Sequence, residues 1–230
     1  MSILIQGVTK SYGKQKALDS ISFEVNKGEI VGFLGPNGAG KSTTMKIING
    51  FIQEFEGQVF VDGIDVSQNL ISAQKLIGYL PEHNPLYLDM YVKEYLDFTA
   101  GVYKVSKSAI PEIIEKVGLS LEAHKRINQL SKGYRQRVGL AAAIIHNPEV
   151  LILDEPSTGL DPNQLVEIRE LIKEMGKDKT VLLSTHIMQE VEAICDRVII
   201  INRGHIVADK LVSEIPEGKL EELFRELTIE

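Results

Sequence analysis

Short apolar runs recur along the chain and predict the strands of a sheet. The runs lie at residues 20–25, 29–34, 58–61, 150–153, 180–184 and 198–201. Several are continuously apolar, which is typical of strands buried on both faces in a mostly parallel sheet covered by helices. The pattern therefore predicts an α/β protein.

Helical periodicity dominates between residues 84 and 131. Ile110, Ile113, Ile114 and Val117 follow the i, i+3, i+4, i+7 spacing of one helix face. We expect this stretch to form a helical lobe inserted into an α/β core. The expected organisation is one domain over residues 1–230, with the core at 1–83 and 136–212, the lobe at about 84–135, and an amphipathic C-terminal helix at about 213–230 that packs on the core.

Composition limits the partners. The formal net charge is −7 and the acidic residues are spread along the 230 residues, so no basic stripe exists for a nucleic-acid backbone. The single cysteine, Cys195, excludes an intrachain disulfide. No stretch approaches the ~18 apolar residues of a membrane span. We expect a cytoplasmic chain that reaches a membrane only through a partner.

A glycine-rich segment follows the apolar run at residues 29–34 and matches the phosphate-loop pattern GxxxxGK[ST]. In such a loop the glycines let backbone N–H groups converge on phosphate oxygens, the lysine adds a positive charge, and the hydroxyl can ligate Mg²⁺. The pattern predicts that the chain binds a nucleoside triphosphate together with Mg²⁺. The predicted nucleotide-binding residues here are Gly35, Pro36, Asn37, Gly38, Ala39, Gly40, Lys41, Ser42 and Thr43.

Two carboxylates, Asp154 and Glu155, directly follow the apolar run at residues 150–153. In parallel α/β sheets this is the end of the strand where ligands bind. The first acid can hold Mg²⁺ through water, and the second can accept a proton from an attacking water. The alternative is a solvated acidic pair in a turn.

A serine, Ser131, precedes a helical run and is typical of a helix N-cap. Such caps are more often structural than functional. An exposed helix N-terminus with Gly133 in its first turn is also an anion site, able to meet a γ-phosphate offered by another subunit.

These segments, with STGLD at residues 157–161 and STH at residues 184–186, occur in an order and spacing that resemble the ATP-binding cassette (ABC) ATPases. The resemblance runs from about Ile3 to Leu211. It implies a P-loop core with a mostly parallel sheet, an N-terminal antiparallel β part and an inserted helical lobe. It also implies an ATPase that uses ATP and Mg²⁺.

Carried over by position, the resemblance implies that Tyr12 stacks on adenine, that Glu155 is the general base and that His186 contacts the γ-phosphate. The implied metal ligands are Ser42, Glu82 and Asp154. Tyr12 could instead be a surface aromatic, and a single histidine is usually structural.

The resemblance further implies a two-site dimer, formed with a second copy or with an equivalent second ATPase subunit. Ser131 and Gly133 would close over the ATP of the opposite subunit, and Asp161 would cross the same interface. The signature reads Ser-Lys-Gly-Tyr where most members have Ser-Gly-Gly-Gln. Glu82 stands where most members have glutamine, which adds a third carboxylate near Asp154 and Glu155.

A narrower resemblance links residues 78–87 to the ATPase subunits of ABC-2 type exporters, and more narrowly to those associated with gliding motility. It implies separate transmembrane permease subunits that dock near residues 82–92 and hold the chain at the inner face of the cell membrane. Core packing is the alternative for the apolar residues at 86–92.

A soluble ABC ATPase without a transporter partner, for example of the iron–sulfur assembly type, is the alternative function. A non-enzymatic ATP-gated switch is disfavoured because Glu155 retains the base.

Overall fold

The computed structural model describes residues 1–228. Within them the strands are β1 (Ile3–Tyr12), β2 (Gln15–Val25), β3 (Ile30–Leu34), β4 (Glu56–Val61), β5 (Ile64–Asp65), β6 (Ile77–Leu80), β7 (Val150–Asp154), β8 (Thr180–Thr185), β9 (Arg197–Asn202) and β10 (His205–Leu211). The helices are α1 (Lys41–Ile48), α2 (Leu70–Leu76), α3 (Val92–Tyr103), α4 (Ile110–Lys116), α5 (Lys132–Ile144), α6 (Pro162–Gly176), α7 (Met188–Ile194) and α8 (Leu220–Thr228).

The strands form two sheets. A four-stranded antiparallel sheet has the order β2-β1-β4-β5, and a six-stranded sheet has the order β10-β9-β3-β8-β7-β6. In the larger sheet all neighbours are parallel except β10, which pairs antiparallel with β9. This architecture confirms the predicted α/β class with an antiparallel N-terminal part.

The central strands of the larger sheet are buried on both faces. Alternate residues divide between two apolar clusters: Phe33 and Ile152 pack with α1 and the smaller sheet, whereas Leu34 and Leu153 pack with the lobe and the later helices. Both layers exclude water from β3, β7 and β8, whose residues are all buried. Such burial explains why these strands are continuously apolar in the sequence.

The helices between β6 and β7 form the lobe. Helix α3 begins after Tyr91 with Glu94 at the third helical position, a capping-box arrangement in which the Glu94 carboxylate accepts from the Tyr91 N–H at 3.1 Å. Helix α4 ends before Gly118, which adopts a φ of 69°. Ser131 caps α5, as predicted, through the Tyr134 N–H.

The C-terminal helix is shorter than predicted. It begins at Leu220, not near residue 213, because Pro216 and Gly218 turn the chain before it, the latter with a φ of 72°. Residues 229 and 230 of the predicted helix lie outside the described residues. Leu220 is fully buried, and Leu223, Phe224 and Leu227 pack partly buried against the core.

Candidate nucleotide-binding site

The carboxyl ends of four neighbouring parallel strands meet at one edge of the larger sheet. In the order β3, β8, β7 and β6, these ends lead into the glycine-rich loop, His186, Asp154 with Glu155, and Glu82. Leu34 pairs in register with Thr185, and Asp154 pairs with Ser184. The fold therefore brings four separate sequence segments to the edge where parallel sheets bind ligands.

A cleft of about 400 Å³ opens at this edge. Its lining consists of Ala17, Pro36, Asn37, Gly38, Gly40, Lys41, Ser42, Thr43, Glu82, Glu155, Thr158 and His186. Most of the predicted phosphate-loop residues therefore line it, together with both predicted catalytic residues. Ala17 and Thr158 were not predicted. Thr158 lies inside the STGLD segment, whereas Ala17 on β2 has no local signal.

The loop has the conformation of a phosphate cradle. Gly38 and Gly40 have φ values of 80° and 115°, which favour glycine, and a Cβ on Gly38 would meet nothing within 4 Å. Gly40 is the residue before α1, so the N–H groups of the first helical turn face the cleft side of the loop. Exposed N–H groups, an open backbone and the positive end of α1 fit a phosphate group.

Lys41 is buried and points back onto the loop. Its Nζ donates to the Gly35 carbonyl at 2.6 Å and to the Pro36 carbonyl at 3.3 Å, and lies 4.0 Å from Glu155 Oε1. Burial lowers the pKa of the Lys41 ammonium, whereas Glu155, Asp154 and Glu82 raise it. Gly35 and Ala39 do not line the cleft; both are buried beneath the loop surface.

Glu155 and His186 form a direct pair. His186 Nδ1 lies 2.7 Å from Glu155 Oε2, and only 8% of the Glu155 side chain is exposed. Burial raises the pKa of the Glu155 carboxyl above its ordinary value, and the nearby His186 and Lys41 partly offset this shift. The pair places a buried carboxylate and an imidazole at the cleft wall beside the loop lysine.

Asp154 lies behind the cleft wall and is 2% exposed. Burial raises the pKa of its carboxyl, and the neighbouring hydroxyls of Ser184 and Ser42 lower it. Its Oδ1 has no hydrogen-bond partner among the described residues. A buried carboxylate oxygen without a partner, next to the Ser42 hydroxyl, offers the hard oxygen ligands that Mg²⁺ prefers.

Glu82 lies across the cleft on the loop after β6. Its carboxylate acts on Asp154, whose pKa it raises, and on Lys41. Throughout residues 1–228, no three His, Cys, Asp or Glu side chains are grouped so that they could hold a metal ion.

The remaining predicted residues lie outside the cleft lining. Ser131 and Gly133 begin α5, and Asp161 caps α6 through the N–H groups of Asn163 and Gln164. The two helix starts touch, since a Cβ on Gly133 would collide with the Gln164 side chain. These residues form a second group, separate from the loop cleft of the same chain.

Tyr12 does not line the cleft either. Its ring is 54% exposed at the end of β1, and Lys10 Nζ lies 5.2 Å from the ring centroid. The ring belongs to the same β1–β2 hairpin as Ala17, which does line the cleft. The Lys10 ammonium covers one face of this exposed ring.

An aromatic surface lies where the lobe meets the core. We define it as Tyr87, Tyr91, Tyr95 and Phe98; Tyr87 packs edge-on against Tyr95 at 6.0 Å and against Phe98 at 5.8 Å between ring centroids. Tyr87, Tyr91 and Phe98 are about half exposed. A neighbouring cleft of about 520 Å³ is lined by residues that include Phe51, Tyr79, Asn84, Pro85 and Tyr95.

The segment after Glu82 is divided between the core and the surface. Leu86 is half-buried and Val92 is fully buried, so part of the segment packs in the core. Leu88, 46% exposed, adds to the apolar surface. Within residues 1–228, no helix is both long and apolar enough to span a membrane.

Comparison with known proteins identifies the class. The ABC transporter family matches residues 18–158, which is more than half of the chain. The chain belongs to the ABC transporter ATP-binding family, and it is an ATPase of this family. This assignment confirms the ATPase prediction made from the motifs.

Among similar sequences is the bacitracin transport ATP-binding protein BcrA of Bacillus licheniformis, 40% identical over 94% of this chain and 71% of that protein. Another is the lantibiotic transport ATP-binding protein SrtF of Streptococcus pyogenes, 36% identical over 96% of this chain and 94% of that protein. Both are named as transport ATP-binding proteins.

Solved structures agree with the fold. The structure of an ATP-binding subunit of an ABC transporter aligns with a TM-score of 0.89 and 30% identity, covering 99% of both chains. The dimeric cassette MJ0796 aligns with a TM-score of 0.84 and 27% identity, covering 91% of this chain and 98% of that one. A dimeric post-hydrolysis state of MJ0796 bound to ADP and Pi aligns equally well, at 26% identity and the same coverage.

Proposed function

We propose that this chain is the ATP-hydrolysing subunit of an ABC exporter of the ABC-2 type, and that two subunits sandwich two ATP molecules to drive transport. The observation that carries the catalytic part is the 2.7 Å contact between Glu155 and His186 at the cleft wall, beside the phosphate loop. The relatives BcrA and SrtF, both named for transport, support the transport part.

In this proposal the loop binds the phosphates. The N–H groups of residues 38–42, which include the start of α1, donate to the phosphate oxygens, and Lys41 exchanges its carbonyl contacts for the β- and γ-phosphates. Because Lys41 Nζ lies only 4.0 Å from Glu155 Oε1, the residue that binds the phosphates also lies beside the proposed base.

Glu155 is the proposed general base. Its raised pKa brings it closer to neutral pH, where a base that must accept a proton from water works best. His186 orients that carboxylate through Nδ1, and its exposed ring can face the γ-phosphate. When water attacks the γ-phosphate, the proton that the water loses would move to the Glu155 carboxylate.

Mg²⁺ fits the donor set of Ser42, Asp154 and Glu82. When bound, it would neutralise phosphate charge, and phosphate oxygens and waters would complete its coordination, since Mg²⁺ in such sites is held by one or two carboxylates plus substrate. The partnerless Asp154 Oδ1 supports this assignment. Glu82 supplies an oxygen and one more negative charge than a glutamine.

The proposed dimer follows from the separation of the two residue groups. Ser131, Gly133 and Asp161 lie together but do not line the loop cleft of their own chain. A second subunit could bring the same group against this cleft, and the N-terminus of α5 would then face the γ-phosphate. The dimeric structures of the similar cassette MJ0796 support this arrangement.

The aromatic surface is the proposed docking site for a transmembrane permease subunit, which would hold the chain at the inner face of the membrane. A soluble ABC ATPase without such a partner remains the alternative, and recovery of the chain with a membrane protein separates the two. The narrower resemblance to gliding-motility subunits remains a prediction, and the identity of that membrane protein would test it.

Replacing Glu155 by Gln tests the catalytic proposal. The change is nearly isosteric and leaves the loop intact, so turnover should fall at least about 10²-fold, the lower end of what a positioned base contributes. ATP affinity should hold or improve because a negative charge near the triphosphate is lost. Steady-state hydrolysis and equilibrium ATP binding measure the two effects.

Two controls accompany this variant. Glu170→Gln changes an exposed glutamate on α6 and should retain the parent rate. Lys41→Ala should lose ATP binding itself. Parent-rate hydrolysis by Glu155→Gln would show that Glu155 is not the base.

A further inference from the structure

A third buried carboxylate, besides Asp154 and Glu155, lies next to the cleft, and the proposed mechanism does not use it. Glu190 on α7 is 2% exposed, and its Oε2 accepts a hydrogen bond from Thr185 Oγ1 at 2.8 Å. Its Oε1 has no hydrogen-bond partner among the described residues. A buried carboxylate with so few partners is costly, so its retention needs a reason.

The Thr185 hydroxyl, on the residue before His186, bonds to two residues that follow it. It donates to Glu190 and accepts from the Ile187 N–H at 3.1 Å. The Glu190 N–H in turn donates to the Ile187 carbonyl at 3.1 Å. These three bonds close a turn over residues 185–190, and His186 lies inside it.

The turn is also anchored to both sides of the cleft. Thr185 pairs with Leu34, the last residue of β3 before the phosphate loop. On the other side, the Glu155 N–H donates to the Ser184 carbonyl at 2.9 Å. The backbone position of His186 relative to Glu155 is therefore set by residues 184–190.

We propose that Thr185 and Glu190 are positioning residues for His186. Glu190 fixes the Thr185 hydroxyl, the hydroxyl fixes the Ile187 N–H, and the imidazole is held where its Nδ1 meets Glu155. This inference rests on the proposed role of His186 in hydrolysis. Neither residue lines the cleft, so in this proposal both act through His186.

Thr185→Val is the main variant, since valine keeps the shape and removes the hydroxyl. We expect kcat to fall by about ten- to hundredfold with KM for ATP nearly unchanged, because a displacement on the order of 1 Å can cost about 10² in rate. Thr185→Ser keeps the hydroxyl and should retain most of the parent kcat. Thr99→Val, which removes a hydroxyl bonded to the Tyr95 carbonyl in the lobe, is the matched control and should keep the parent rate.

Glu190 is tested by two variants of similar length. Glu190→Gln keeps an acceptor for the Thr185 hydroxyl and should retain kcat within a few fold, whereas Glu190→Met removes the acceptor and should behave like Thr185→Val. The Met variant also covers the case in which Thr185→Val does not fold, as judged by its melting temperature. Equal losses in the Gln and Met variants would overturn the proposed route through Thr185.

A double-mutant cycle separates positioning from a general structural role. In the His186→Ala background, Thr185→Val should change kcat less than about twofold, because the group it positions is absent. Losses that multiply in the double variant would overturn the proposal. If His186→Ala alone keeps the parent rate, the proposed function of His186 fails, independently of the positioning claim.

A spectroscopic measurement tests the positioning without turnover. The chain has five histidines, so the ¹⁵N side-chain signals of His186 can be assigned by their loss in His186→Ala. Thr185→Val and Glu190→Met should shift the Nδ1 signal, and Thr185→Ser and Thr99→Val should not. An unchanged Nδ1 signal in Thr185→Val would overturn the proposal even if hydrolysis were too slow to measure.

Discussion

Glu155, the residue after β7, has a strained backbone conformation that its contacts hold in place. Its φ of 52° lies in the left-handed region, which is unfavourable for a side chain of this size. Strain of this kind costs about 1–3 kcal/mol and persists where the surroundings hold it. The bond from its N–H to the Ser184 carbonyl and the contact with His186 provide that hold. This turn directs the carboxylate into the cleft.

His146 provides a prediction at the same scale. Its ring stacks on Tyr103 with centroids 3.8 Å apart, and its Nε2 lies 3.0 Å from the Ile77 carbonyl. Burial lowers the pKa of His146, the hydrogen bond to Ile77 opposes this shift, and Lys179 adds to it. The folded state therefore favours the neutral ring.

The sign of the pH effect follows from linkage. Below the ordinary histidine pKa of about 6.5, the unfolded chain binds this proton more readily than the folded one, so the free energy of unfolding decreases as pH falls. Urea denaturation between pH 7.5 and 5.5 should show the parent losing stability relative to His146→Gln. A constant difference between the two proteins across this range would contradict the prediction.

At the scale of elements, α3 has two faces with different roles. Val92, Leu96 and Ala100 are fully buried within the lobe, whereas Phe98 on the same helix and Tyr91 just before it remain about half exposed. Because exposed aromatic rings that pack on one another are already ordered, they lose little further conformational entropy when a partner covers them. The exposed face of α3 therefore suits the docking role proposed for the aromatic surface.

Negative charge on the aromatic surface should weaken the association of the chain with membranes. Tyr87→Asp with Phe98→Asp would place two carboxylates in the proposed interface, and recovery of the chain with membranes should fall at least tenfold, about 1.4 kcal/mol. Basal hydrolysis should not change because neither residue lines the cleft at the phosphate loop. Leu121→Asp, at an apolar residue that is 82% exposed, is the matched control. Unaltered membrane recovery of the double variant would show that the partner docks elsewhere.

At the scale of the whole molecule, the two residue groups are the proposed complementary halves of one site. The phosphate loop with Glu155 lies at the sheet edge, whereas the starts of α5 and α6 lie together outside that cleft. One chain carries both halves, so a symmetric pair would complete two sites at once. ATP held between the chains would then stabilise the pair by mass action.

Dimerisation should therefore depend on bound ATP. In light scattering, the Glu155→Gln protein should shift from monomer to dimer when ATP is added. Adding Ser131→Arg should abolish the shift, because its bulk would occupy the place of the γ-phosphate, while ATP binding by each chain remains. A Glu155→Gln protein that binds ATP but stays monomeric would show that the membrane partner must supply the missing free energy.

Local patterns determined much of this protein from the sequence. The phosphate loop, the acidic pair after β7 and the Ser131 cap depend on neighbouring residues, so their motifs predicted them. The buried central strands were also predicted, because their apolar runs are continuous. Strands β1 and β10 were missed, since their half-exposed residues and register shifts break the pattern. The four-residue β6 is too short to give a clear signal.

Only the tertiary structure decided which groups meet. The contact between Glu155 and His186 joins residues 31 positions apart, and it exists because β7 and β8 are neighbours in the sheet. The pairing of β8 with β3 on its other side brings Thr185 beside Leu34 at the end of β3, while Glu190 reaches Thr185 from the following helix. Long-range strand pairing leaves no trace in local composition. The sequence therefore determined the chemistry of the site, and the order of the parallel strands determined its geometry.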